Sequence, residues 1–109
     1  MIEIIPAILA QSKQEFEKKL RLVESLCPVV QVDILDGSMY GCTSWFDARH
    51  IGALDTPVQF ELHLMVENPL PIIEDWKQFV PGTLRVIVHH ELDRPVGTIL
   101  SHAKDYLRL

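Results

Sequence analysis

Apolar runs of strand length alternate along this chain with stretches whose apolar residues recur at helical spacing. The run from Ile4 to Leu9 comes first and predicts a short buried strand. In "SKQEFEKKLRLVESLC", Phe16, Leu20 and Val23 are spaced i, i+4 and i+7, which puts them on one side of a helix. Ser12 with Glu15 has the spacing of a capping box at its start. Val29 to Leu35 predicts a second strand, and after a loop of Gly, Ser and Thr a short helix is expected around Asp47 to Leu54. "VQFELHLMV" reads as the third strand, and "PLPIIEDWKQFV" as a helix with Ile72, Trp76 and Phe79 in its buried stripe. "LRVIVHHE" is the fourth strand, and Asp93 with Pro95 opens a last helix carrying Ile99, Leu100, Ala103 and Leu107. The pattern is four consecutive βα units.

Alternation of this kind implies a parallel sheet, for which two architectures compete. An open sheet covered by helices on both faces needs strands that are apolar on both sides. The second and third strands fail that test. Successive strand residues point to opposite faces, so Val30, Val32 and Ile34 share one face while Gln31, Asp33 and Leu35 share the other. In the third strand Phe60, Leu62 and Leu64 oppose Glu61, His63 and Met65. Polar groups on one face of neighbouring strands suit the interior of a (βα)8 barrel near its C-terminal mouth, where barrel enzymes keep their chemistry. The expected fold is therefore α/β, the parallel (βα)4 half of a TIM-type barrel.

At 109 residues and 48% hydrophobic, the chain has the size and apolar content of a single domain, 1–109. A net charge of -5 without a basic stripe gives nucleic acid or an anionic membrane no electrostatic purchase. The N-terminal "MIEIIPAILAQSK" carries Glu3 where a signal peptide has basic residues, and its apolar run is too short to span a bilayer, so a cytoplasmic location is the expectation. Cys27 and Cys42 lack CxxC spacing and read as two unpaired thiols of a reducing compartment. The closing "AKDYLRL" stops inside a helical pattern, with no glycine cap and no following strand, so truncation at the C-terminus is expected.

Four short motifs carry a more specific signal. "PAILA" at 6–10, "VDILDG" at 32–37, "HLMVENP" at 63–69 and "VIVHHE" at 86–91 occur in order on the four predicted strands. Together they resemble the first four strand motifs of ribulose-phosphate 3-epimerase, covering the N-terminal half of that family's fold, a barrel of the ribulose-phosphate-binding type. The resemblance implies an isomerase of pentose phosphate metabolism that interconverts ribulose 5-phosphate and xylulose 5-phosphate by moving a proton at the carbon beside the ketone. Two aspartates serve as acid and base around an enediolate, and a divalent metal, zinc, iron or manganese, stabilises its oxyanion. Residue by residue, Asp33 matches the family's metal-binding and proton-transferring aspartate, and His63 its metal ligand on the third strand. Met65 matches a methionine packed near substrate, and His89 the histidine of the fourth strand. Asp36 and Gly37 look like the turn that leaves the second strand.

The sequence also departs from the family pattern. Ala7 stands where the family has a substrate-contacting serine, and Gln31 where it has a histidine; an amide is a poor substitute for imidazole on zinc or iron. The loop "SMYGCTSWF" differs as well, and the second aspartate and the phosphate-binding loops belong to later strands of the family barrel. The resemblance thus implies a sugar-phosphate site around Asp33, Ala7, Met65 and His89, an incomplete metal set of Asp33, His63 and Gln31, and weak or absent turnover by this chain alone. A decarboxylase of the related barrels would need a lysine where "DILDG" has Leu35, which counts against it. A non-catalytic half barrel that binds sugar phosphate is the alternative, and exposed strand edges favour a homo-oligomer. Gln31 and Glu61 read as an interior polar network, and adjacent His89 and His90 face opposite sides of a strand and cannot chelate one ion together. His50 and His102 read as solvated, Trp45 and Phe46 as packed against the barrel rim, and Trp76 as core.

Overall fold

The computed structural model describes residues 2–89. Its elements are β1 (Ala7–Ile8), α1 (Lys13–Val23), β2 (Val29–Leu35), α2 (Ala48–Gly52), β3 (Gln59–Met65), α3 (Leu70–Phe79) and β4 (Thr83–Val88). The last predicted helix, from Asp93 onward, lies outside the described residues. The strands form one sheet in the order β1-β2-β3-β4, every pair parallel. Parallel neighbours in sequential order need a crossover after each strand, and the helices supply it.

All three helices lie on the same face of the sheet. Val30, Val32 and Ile34 of β2 and Phe60, Leu62 and Leu64 of β3 are buried in one cluster with Phe16 and Leu20 of α1, Ile51 of α2, and Ile73 and Trp76 of α3. These strand residues all have even numbers, so the odd-numbered face of β2 and β3 carries no helix among the described residues. A doubly wound sheet would have helices on both sides. The one-sided, sequential arrangement is the wall of half a TIM-type barrel.

Local chemistry sets the element ends. Ser12 Oγ accepts the Glu15 N–H at 3.1 Å and caps α1, while the Glu15 carboxylate reaches back to the Gln11 N–H at 3.1 Å. Asp47 caps α2 by accepting the His50 N–H at 3.1 Å.

Two expectations are corrected. The first strand is shorter than the run Ile4 to Leu9: Ile2 and Ile4 are 91% and 77% exposed, and pairing with β2 begins only at Ala7. Pro6 accepts the Gln31 N–H at 2.8 Å but has no N–H to return, so the ladder stops there. In α3 the deepest residues are Ile73 and Trp76, whereas Ile72 and Phe79 are only half-buried. The stripe is rotated toward Ile73 because α3 has α2 on its flank as well as the sheet beneath it. At that flank the chain comes very close: a Cβ built on Gly52 would lie 1.9 Å from the Phe79 carbonyl oxygen.

Candidate functional site

The parallel register of β2 and β3 sets Gln31 opposite Glu61 and Asp33 opposite His63 on the face turned away from the helices. Ala7 pairs with Gln31, and Met65 stands one level beyond His63, opposite Leu35. His89 follows β4 with the same parity, two residues after Ile87, the partner of His63.

Four of these side chains form a continuous row. Gln31 Nε2 donates to Asp33 Oδ1 at 2.8 Å, and His63 Nδ1 lies 3.3 Å from the same oxygen. His63 Nε2 is 3.0 Å from His89 Nε2, with ring planes 12° apart and centroids at 5.1 Å, so the two imidazoles meet side by side rather than face to face. With Asp33 ionised, its Oδ1 requires a donor at His63 Nδ1; neutral His63 then accepts at Nε2 from the Nε2–H of His89. Asp33 Oδ2 takes no bond among the described residues, and the carboxylate is 19% exposed. The row thus orients one carboxylate oxygen and leaves the other open.

The loop after β2 closes over this row. Gly37 takes φ +87°, a left-handed conformation that glycine tolerates best, and the Asp36 carboxylate accepts from both the backbone and the hydroxyl of Ser38. Asp36 bridges to Thr43, and Ser44 Oγ accepts the Leu35 N–H at 3.0 Å while donating to the Asp33 carbonyl at 2.9 Å. This fold-back sets the Tyr40 ring edge-on to His89, with centroids 6.2 Å apart. Ser38 Oγ also accepts the Glu67 N–H at 2.9 Å, tying this loop to the one after β3.

One level nearer the strand starts, Glu61 is buried and its carboxylate is held by Arg85 of β4. The interior network expected for Gln31 and Glu61 therefore divides into two pairs, Gln31 with Asp33 and Glu61 with Arg85. Arg85 was legible in principle, since it shares strand parity with His89; Tyr40 was not, because the twelve-residue loop between β2 and α2 carries no periodicity that predicts what it covers. Trp45 and Phe46 pack on the helical side, Trp45 against Phe16 at 5.4 Å, and His50 is exposed and paired with Asp47 at 3.2 Å. Cys27 and Cys42 are unpaired. His90 and His102 lie outside the described residues.

Fold and site together define half of a parallel α/β barrel with a polar cluster at the C-terminal ends of its strands, the arrangement of the barrel enzymes. The chain belongs to the Ribulose-phosphate 3 epimerase family, whose sequence model matches residues 3–106. Among curated proteins none matches it.

The family's divalent metal is tested by the donor set. Zinc takes four donors that converge on one point at about 2.0–2.3 Å. Here the donors stand in series: His63 spends Nδ1 on Asp33 and Nε2 on His89, and Gln31 turns its amide N–H, a group that cannot ligate, toward Asp33. No group of three or more His, Cys, Asp or Glu side chains suited to a metal occurs among the described residues. Asp33, His63 and Gln31 as they stand do not fit the metal.

Proposed function

We propose that the helix-free face is one half of a ketopentose-phosphate epimerase site, with Asp33 as the proton-transferring group acting between ribulose 5-phosphate and xylulose 5-phosphate. The observation that carries this reading is the carboxylate of Asp33, its Oδ1 oriented by Gln31 and His63 and its Oδ2 open. Family membership supports the substrate class. Asp33 Oδ2 takes the proton from the carbon beside the ketone, and the electron pair moves into the enediolate. Returning the proton to the same face regenerates the starting sugar; inversion needs an acid on the opposite face. His89 and Met65 line the approach, and Ala7 leaves open the space that a serine would fill. Among the described residues the other carboxylate on this face, Glu61, is engaged by Arg85, so within them one face of the substrate is served and the other is not. The chain alone therefore exchanges the proton slowly and epimerises weakly or not at all.

The test separates the two halves of the reaction. Ribulose 5-phosphate incubated with the protein in deuterium oxide should acquire deuterium at C3, slowly and with little xylulose 5-phosphate formed, and Asp33→Asn should abolish the exchange. Exchange no faster than that of the Asp33→Asn variant overturns the catalytic reading; saturable binding without exchange then supports the non-catalytic sugar-phosphate-binding module. Epimerisation at enzymatic rates overturns the one-sided site.

The same reading extends to assembly and location. β1 and β4 end the sheet among the described residues, and Leu9 and Ile87 are 43% and 40% exposed. A second copy of the chain is the proposed cover for these edges and the face between them. No helix among the described residues is long and apolar enough to cross a membrane, and a cytoplasmic location belongs to the same proposal.

A further inference from the structure

The residues that resemble the family's metal set are bonded to one another instead. Gln31 Nε2 and His63 Nδ1 both reach Asp33 Oδ1, at 2.8 and 3.3 Å, and His63 Nε2 meets His89 Nε2 at 3.0 Å. Chemistry fixes the sense of the first bond. Turned over, the Gln31 amide would set its carbonyl oxygen against an ionised carboxylate, two acceptors with no proton between them. To use more than the open Oδ2, a metal ion has to reverse the Gln31 amide, strip both donors from Asp33 Oδ1 or part His63 from His89. The other carboxylates of β3 and of the turn after β2 are committed as well, Glu61 to Arg85 and Asp36 to Ser38.

The row also does for Asp33 part of what a metal does for an acid–base carboxylate. Two bonds on one oxygen fix the carboxylate plane and balance some of its charge. Hydrogen bonds to an ionised acceptor are roughly twice as strong as neutral ones. The side chains of Asp33 and His63 are 19% and 27% exposed, so water competes for these bonds only in part.

We propose that the row Gln31–Asp33–His63–His89 stands in the place of the family's divalent ion, so that proton transfer by Asp33 runs without a metal and a metal ion competes with it. The inference rests on the reading of Asp33 as the proton-transferring group. It makes Gln31 a positioning residue, acting through Asp33 and not on the substrate. The bond between C3 and its hydrogen breaks, the proton passes to Oδ2, and the electron pair enters the enediolate; the reverse step returns the proton to carbon. The oxyanion forms without a Lewis acid beside it, which keeps the exchange slow.

The test follows deuterium uptake at C3 of ribulose 5-phosphate in deuterium oxide, first with EDTA and then with zinc or manganese in its place. Uptake in EDTA should equal or exceed uptake with either metal. Gln31→Leu, which loses the donor, should lower the rate at saturating substrate about tenfold or more, with the half-saturating concentration unchanged. Uptake that needs the metal, or an unchanged rate in Gln31→Leu, overturns this inference and leaves the Asp33 reading standing. No uptake under any condition removes the Asp33 reading and this inference with it. If Gln31→Leu does not fold, NMR of the 15N-labelled unsubstituted chain follows the Gln31 side-chain amide instead. One equivalent of zinc should leave that signal in place, and a shift that saturates at one equivalent overturns the inference.

Discussion

Gly52 is where α2 and α3 come closest, because a side chain there would run into the backbone of Phe79, which has no rotamer to retreat into. Gly52→Ala should therefore destabilise the protein by about 1–3 kcal/mol, the usual range for overpacking a closed contact. Urea denaturation checks this, and an unchanged midpoint would show that the helices part easily. Gln31 sits beside Asp33 with an amide where the family pattern has imidazole. The unsubstituted chain should bind zinc weakly in calorimetry, and Gln31→His should bind it measurably more tightly, because a ligating nitrogen then stands next to the carboxylate. Tight stoichiometric binding by the unsubstituted chain would contradict the series arrangement of donors. Gly52 shows a limit of sequence reading, since a glycine in a helical stretch is unremarkable until the neighbour across the gap is known. Gln31 is legible in the sequence as a replacement for histidine, but its bond to Asp33 is not.

Among the elements, β2 and β3 were the most legible. Their alternation, apolar at every even position and with all the polar residues, Gln31, Asp33, Gln59, Glu61 and His63, at odd ones within Val29–Leu35 and Gln59–Met65, assigns each residue to a face without knowledge of the partner strand. β1 was overestimated because apolar content does not reveal where Pro6 interrupts pairing. In α3 the period was read correctly but its phase was not, since Ile72 and Ile73 are equally apolar and only the position of α2 distinguishes them. α2 depends on its cap. Asp47 accepts the His50 N–H, which lowers its pKa below the ordinary value of 3.8. A carboxyl with a depressed folded pKa stabilises above its unfolded pKa and loses that contribution as pH falls through the folded value. Asp47→Ala should thus cost about 1 kcal/mol or less at pH 7, the helix end being exposed and screened. The difference should shrink below about pH 3.8. Thermal unfolding of both proteins from pH 7 to pH 3 tests this, and a difference independent of pH would remove the charge from the explanation.

For the whole molecule, the one-sided helix layer has a physical consequence. A parallel sheet with helices on one side needs its other face closed, and in an eight-stranded barrel the far wall does this. Here that face holds a salt-bridged pair and a hydrogen-bonded row, flanked by Leu9 and Ile87. Sedimentation of the 109-residue chain should accordingly show species larger than a monomer, growing with concentration, because parallel edges that have no partner among the described residues, and exposed apolar side chains, associate. A monomer across the range would overturn the second-copy cover.

The sequence by itself determined the periodicity, and with it the strand and helix order, the parity that puts Gln31, Asp33, Glu61 and His63 on one face, and the motifs that mark the family. These are local properties, carried by residues one to four positions apart. Only the tertiary structure decided that Asp33 is gripped by Gln31 and His63 at a single oxygen, that His63 spends its second nitrogen on His89, that Tyr40 folds back over His89, and that α2 meets α3 closely at Gly52. Each of these joins residues from different elements or from a loop without periodicity. The register between strands and the placement of neighbouring helices fix such contacts, and neither is written in any one segment.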